Sequence, residues 1–92
     1  MSEVVETVVV GSPLGLHGRP AAEIVRLASP FRAELTLARE DDSDKRADCR
    51  SILAMLVLAA ANGTRLILRG TGEDAEAAVG AIAAYFAKNF NE

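Results

Sequence analysis

Glu34-Leu35-Thr36-Leu37-Ala38-Arg39, then Glu40-Asp41-Asp42-Ser43-Asp44, then Lys45 to Arg50, then Ser51 and the apolar run Ile52 to Ala61: this stretch decides the architecture. Residues 34–39 alternate polar and apolar, the period of a strand with one buried face. The acidic run Glu40 to Asp44 reads as a solvated turn. Lys45 to Arg50 is too polar for periodicity to decide and is read as a short edge strand. Ile52 to Ala61 is too long and too alanine-rich for a strand, so it reads as a helix, with Ser51 as its N-cap and Asn62-Gly63 as its stop.

Working outward, Val4 to Val10 is β-branched almost throughout and reads as a largely buried first strand. Gly11 to Leu16 is a loop. From Gly18 the period changes: Ala21, Ile24, Val25 and Ala28 share one helical face, with Pro20 in the first turn and Pro30 closing the helix. On the other side, Thr64 to Arg69 reads as a strand. Thr71-Gly72-Glu73-Asp74 resembles a capping box ahead of a helix whose inner face is Ala75, Ala78, Val79, Ile82 and Phe86. The order β-α-β-β-α-β-α, with the second and third strands adjacent, suits an antiparallel or mixed sheet with all helices on one face.

Bulk properties narrow the function. Residues 1–92 are expected to form one domain with an aliphatic core, since the aromatic residues are only three phenylalanines and one tyrosine. A formal charge of −3 disfavours a nucleic-acid partner. A single cysteine permits no internal disulfide, which fits a reducing compartment. Met1-Ser2-Glu3 lacks the basic and apolar regions of a secretory signal. The ten-residue run from Ile52 to Ala61 is too short to span a bilayer. The expectation is a cytoplasmic protein without a membrane partner.

The chemistry concentrates in Gly15-Leu16-His17-Gly18-Arg19-Pro20-Ala21-Ala22, which holds the only histidine. Phosphoryl transfer needs a nucleophile that is basic yet uncharged near neutrality, and imidazole, with a free pKa of about 6.5, qualifies. A helix starting at Gly18 would turn unpaired N–H groups and a positive dipole end towards His17. Arg19 adds a guanidinium that can grip phosphate oxygens at two points. Taken alone, a histidine before a helix is more often a cap; the flanking Gly18, Arg19 and Pro20 shift the balance towards a phosphoryl acceptor. No second histidine stands near it to form a metal site, and no nucleophile elbow of a hydrolase is present.

Gly15 to Ala22 resembles the active-site signature of HPr, the histidine-containing phosphocarrier of the phosphoenolpyruvate-dependent phosphotransferase system. Arg50-Ser51-Ile52-Leu53-Ala54-Met55-Leu56 is similar to the same family's regulatory-serine segment, usually Lys-Ser-Ile-Met-Gly-Val-Met. The resemblance covers nearly the whole chain. It implies an α+β two-layer open-faced sandwich with a four-stranded antiparallel sheet and three helices on one face. It implies phosphorylation of His17 at Nδ1, support from Arg19, regulatory phosphorylation of Ser51 by HPr kinase/phosphorylase, and docking of partners on Ile52, Leu53 and Leu56; Gly18 is read as supporting the phosphate by keeping the backbone close and unobstructed. The partners implied are enzyme I as donor and enzyme IIA as acceptor, in sugar transport or its regulation. The carrier would be a monomer without metal or cofactor and without turnover of its own. Leu58-Ala59-Ala60-Ala61 before Asn62-Gly63 looks like the nitrogen-type branch. The alternative is a regulatory module that docks on a transcription factor or kinase and delivers no phosphate.

Among the remaining residues, Gly18 stands where the family more often has Ala, Ser or Thr, and Arg50 replaces the usual Lys. Ser51 serves as an N-cap whether or not it is modified. Cys49 reads as an inert strand residue, with Arg50 near enough to lower its pKa. Met55, Val57 and Leu58 read as core. Tyr85 is expected on a helix face with its hydroxyl in water, and Arg26 on the exposed face of the first helix, as a solvated charge or a guide for an acidic partner.

Overall fold

The computed structural model describes residues 2–91; Met1, part of the stretch read for targeting signals, lies outside the described residues. The elements are β1 (Glu3–Val9), α1 (Gly18–Ala28), β2 (Glu34–Arg39), β3 (Asp42–Asp48), α2 (Ile52–Val57), β4 (Arg65–Thr71) and α3 (Ala75–Ala87). The strands form one antiparallel sheet in the order β1-β4-β2-β3. The register runs from Glu3↔Thr71 to Val9↔Arg65 between β1 and β4, and from Glu34↔Thr71 to Arg39↔Leu66 between β2 and β4. The second and third strands form a hairpin at one edge, as their adjacency in sequence predicts.

The core lies between the inner sheet face and the helices. Leu35 and Leu37 of β2 and Leu66 and Leu68 of β4 alternate into it, where Ile24 of α1 and Ile82 of α3 meet them. A Cβ at Gly70 would stand 2.6 Å from Val79 Cγ2, so glycine lets α3 lie close on β4. The helices α1 and α3 pack together, α3 runs along β1 and β4, and α2 leans on α1 and β3. Among the described residues, no helix is long and apolar enough to cross a membrane.

Five local expectations are corrected. The first strand is an edge strand, not a largely buried one: Val8 is buried, while Val5 and Val9 point to the open outer face and are exposed. The turn between the hairpin strands is confined to Glu40 and Asp41, and Asp42, Ser43 and Asp44 belong to β3. A strand that pairs on one side only and buries just Ala47 keeps its charges in water, so polarity does not oppose it.

The second helix stops at Val57, four residues short of Ala61. Leu58 N–H and Ala59 N–H donate to Met55 O and Leu56 O, tightening the last turn, and Ala59 then takes φ 53°. Alanine is costly in that conformation, and the reason it is held is a side chain from elsewhere: Arg39 Nη1 donates to Leu58 O and Ala59 O at 3.0 and 3.1 Å. Asn62-Gly63 instead makes the turn into β4, where Gly63 N–H donates to Val10 O.

Thr71 lies in β4, so the expected capping box is absent. Asp74 is the N-cap of α3 by backbone alone, and its carboxylate accepts from Arg32 N–H and Ala33 N–H at 2.8 and 2.9 Å. Those two bonds, with help from Arg32's charge, hold the Asp74 carboxyl below the usual carboxylate range. Finally, two side chains exchange roles. Val57, read as core, is 71% exposed because α2 ends there, and Tyr85, read as solvated, is buried with its ring 5.2 Å from Phe90. Met55 and Leu58 are core as expected.

Candidate functional site

The loop that follows β1 is built by short-range bonds. Gly15 N–H donates to Ser12 O at 2.9 Å, closing a turn with Pro13 and Leu14 at its centre, Ser and Gly at its ends. Leu14 at the tip is 75% exposed. Gly15 has φ 69°, and a Cβ there would stand 2.6 Å from Ala60 O, so only glycine fits. That same carbonyl accepts from Leu16 N–H at 2.8 Å. Leu16 is buried, and the loop is thereby pinned to the chain leaving α2.

His17 is the N-cap of α1 with extended backbone, φ −99° and ψ −173°. The cap is made by its backbone: His17 O accepts from Ala21 N–H at 3.0 Å, while the imidazole makes no capping hydrogen bond. The simple capping role that a histidine in this place would suggest is thus filled without the ring. Pro20 has no N–H, so the Gly18 and Arg19 amides are the first-turn donors at this end of α1. A Cβ at Gly18 would meet nothing within 4 Å, so packing does not demand glycine there.

His17 and Arg19 share an open cleft with Ser12, Leu14, Pro20 and Glu23 on one side and Tyr85, Asn89, Phe90 and Asn91 on the other. The far wall is the end of α3, brought to the start of α1 because the two helices pack antiparallel. There the chain turns with Asn89 at φ 55° and Phe90 at φ 64°, and Phe90 N–H donates to Tyr85 O. The Phe90 ring packs at a tilt on Tyr85 and edge-on against Phe86, and a Cβ at Gly11 would strike Asn89 Oδ1. The sequence reading missed this wall, since nothing local in residues 85–91 points to His17. Asn89 directly after a helix is the one local cue, as asparagine favours such left-handed turns. Glu23 is paired with Arg26, whose hydrogen bond holds the Glu23 carboxyl below its ordinary range; Arg26 is therefore engaged within α1.

Ser51 is where it was expected, capping α2 with its hydroxyl oxygen accepting from Ala54 N–H at 3.1 Å. Leu53 is 72% exposed and Ile52 and Leu56 each 40%, so α2 presents an apolar surface. It lies outside the His17 cleft, joined to it through α1 and the Ala60–Leu16 bond. Arg50 acts on Cys49 in the expected direction, lowering its pKa, but is outweighed. Its guanidinium donates to Ala28 O, Phe31 O and Ala33 O, while burial, aided by Asp48, pushes the Cys49 thiol up to about 12.

A half-exposed histidine beside helix N–H groups and a guanidinium, on an open-faced sandwich, defines a phosphoryl-carrier domain, and comparison agrees. A family model described as the PTS HPr component phosphorylation site matches residues 4–88. The chain is 37% identical over 92 residues to the phosphocarrier protein NPr of Shewanella violacea, covering 100% of this chain and 98% of that one. It is 34% identical to the NPr of Escherichia coli K12, covering 97% of each. Among solved structures, an HPr from Thermoanaerobacter tengcongensis superposes with a TM-score of 0.85 at 30% identity, covering 100% of this chain and 98% of that one. The HPr of Bacillus anthracis gives 0.82 at 32% identity, covering 94% and 99%. The chain belongs to the HPr family of phosphocarriers of the phosphotransferase system. Its likeness to NPr proteins supports the nitrogen-type branch.

Proposed function

We propose that His17 is the residue that carries the phosphoryl group, taking it from phosphorylated enzyme I and passing it to an enzyme IIA in the cytoplasm. The observation that carries this reading is the division of labour at His17: the backbone caps α1 and leaves the ring in the cleft beside Arg19. The unprotonated ring nitrogen attacks phosphorus, an N–P bond forms, and the bond from phosphorus to the donor breaks. The Gly18 and Arg19 N–H groups and the Arg19 guanidinium then meet the charge on the transferred group. Nδ1 is the nitrogen assigned, following the family likeness. On release the steps run in reverse onto the acceptor.

Ile52, Leu53 and Leu56 serve as the docking surface, and a phosphate on Ser51 would place about −1.5 to −2 charges beside it, repelling acidic partners. The test is phosphoenolpyruvate-dependent labelling with enzyme I, read by intact mass and phosphorus NMR, with His17→Ala alongside. An acid-labile gain of one phosphate, lost in a variant that still folds, is expected. Undiminished labelling of His17→Ala would overturn the assignment. Labelling of Arg19→Ala at the normal rate would remove Arg19 from the mechanism.

A further inference from the structure

Arg39 lies at the end of β2, outside the His17 cleft, and its side chain is only 20% exposed. Its guanidinium is divided between two tasks. Nε and Nη2 donate to the two carboxylate oxygens of Asp41 at 2.9 and 3.0 Å, which fixes the plane of the fork. Nη1 donates to Leu58 O and Ala59 O. The residue next in line, Ala60, offers the carbonyl that accepts from Leu16 N–H and against which Gly15 is packed. Leu16 is bonded directly to His17. A continuous series of contacts therefore runs from the β2–β3 turn, through the left-handed backbone at Ala59, to the residue that precedes the phosphoryl acceptor.

We propose that Arg39, oriented by Asp41, is a positioning residue for phosphoryl transfer: it sets the 58–60 backbone so that Ala60 O holds the His17 loop in register with the start of α1. This rests on the reading of His17 given above. Ala59 adopts a conformation that alanine avoids, so the segment has no strong preference of its own for this shape and depends on the guanidinium to keep it. With the guanidinium gone, the 58–60 carbonyls turn to water, Ala60 O leaves Leu16 N–H, and His17 loses its fixed placement beside the Gly18 and Arg19 amides. Misplacement of a reacting group by about 1 Å is enough to cost up to about 100-fold in rate.

The test uses the full chain with Arg39→Met, which keeps the apolar stem and removes the donors, Arg39→Lys, which restores one donor, and Asp41→Asn. Each is followed in two ways, at temperatures where circular dichroism shows it folded. Amide hydrogen exchange is read at Leu16 and at the β4 residues Leu66 and Leu68. Transfer from phosphorylated enzyme I is read as maximal rate and half-saturating concentration separately. In Arg39→Met, Leu16 should exchange faster by about tenfold while Leu66 and Leu68 do not change. The maximal transfer rate should fall by about tenfold at an unchanged half-saturating concentration, with Arg39→Lys in between. Unchanged Leu16 exchange overturns the proposal, and so does equal acceleration of all three amides, which marks a purely global role. A change confined to half-saturation also overturns it, making Arg39 a docking residue. If Arg39→Met does not fold, Asp41→Asn decides by the same comparison. If the unaltered chain accepts no phosphate on His17, the reading of His17 fails, and Leu16 exchange still decides whether the clamp exists.

Discussion

Two small residues hold the His17 loop in opposite senses. Gly15 has φ 69° and faces Ala60 O, where a methyl group would overlap the oxygen; Ala59 has φ 53° and carries the methyl group that such a backbone disfavours. Gly15→Ala should therefore destabilise the protein by more than about 1 kcal/mol, and it should slow transfer, because Leu16 cannot keep its bond to Ala60 once Gly15 is pushed away. Ala59→Gly should do the reverse and stabilise by about 1 kcal/mol. Thermal unfolding of the pair of variants checks both signs; a stabilised Gly15→Ala or a destabilised Ala59→Gly would contradict the conformations assigned. Around His17, the turn at Ser12–Gly15, the backbone cap and the amides of Gly18 and Arg19 are local and so legible from residue types, whereas the contacts of Gly15 and Leu16 with Ala60 are not.

At the scale of elements, legibility followed the same rule. The bounds of β2 and α1 were readable because alternation and the 3.6 period are properties of the segment itself, and Pro30 stops the helix by its own geometry. The end of α2 was not readable, since the residue that ends it, Arg39, lies 20 positions from Ala59. Asp74 was misassigned for the same reason. A carboxylate at a helix start reads as a cap, yet its acceptors serve Arg32 and Ala33 N–H, 42 and 41 positions away. Asp74 thus ties the α1–β2 connection to the start of α3. Its pKa is lowered in the folded state, so its stabilisation is present above the ordinary value of 3.8 and is lost as pH falls through the lower folded value. Asp74→Ala should lower Tm at pH 7, and the gap from the unaltered protein should close as pH drops below about 4. A gap that persists at lower pH would mean that the charge of Asp74 does not matter to the tie.

At the scale of the whole molecule, the core reports its own closure through Cys49. The thiol is fully buried at the end of the β3 edge and is raised to about 12 from an ordinary value of 9, with desolvation as the main cause. A raised thiol pKa means that the unfolded chain loses the proton first. The stabilisation is complete below pH 9 and declines as pH climbs from 9 towards 12. Alkylation by iodoacetamide at pH 8 should consequently proceed only as fast as the protein opens, and Cys49→Ala should flatten the alkaline loss of stability. Rapid labelling of the native protein would show that the β3 edge opens on its own. The cleft wall at Tyr85, Asn89 and Phe90 belongs to this scale as well. It exists only once α3 lies antiparallel on α1, which is why no reading of residues 85–91 in isolation assigns them to His17.

The backbone cap at His17 has a consequence for how such a protein can be used over and over. The carbonyl that starts α1 and the ring in the cleft are separate groups on one residue. On the role proposed for His17, loading or emptying the ring breaks no capping hydrogen bond of α1, so freight and vehicle are uncoupled. A group gained or lost at the ring then leaves the carbonyl that starts α1 as it was, and the helix need not be rebuilt at each transfer.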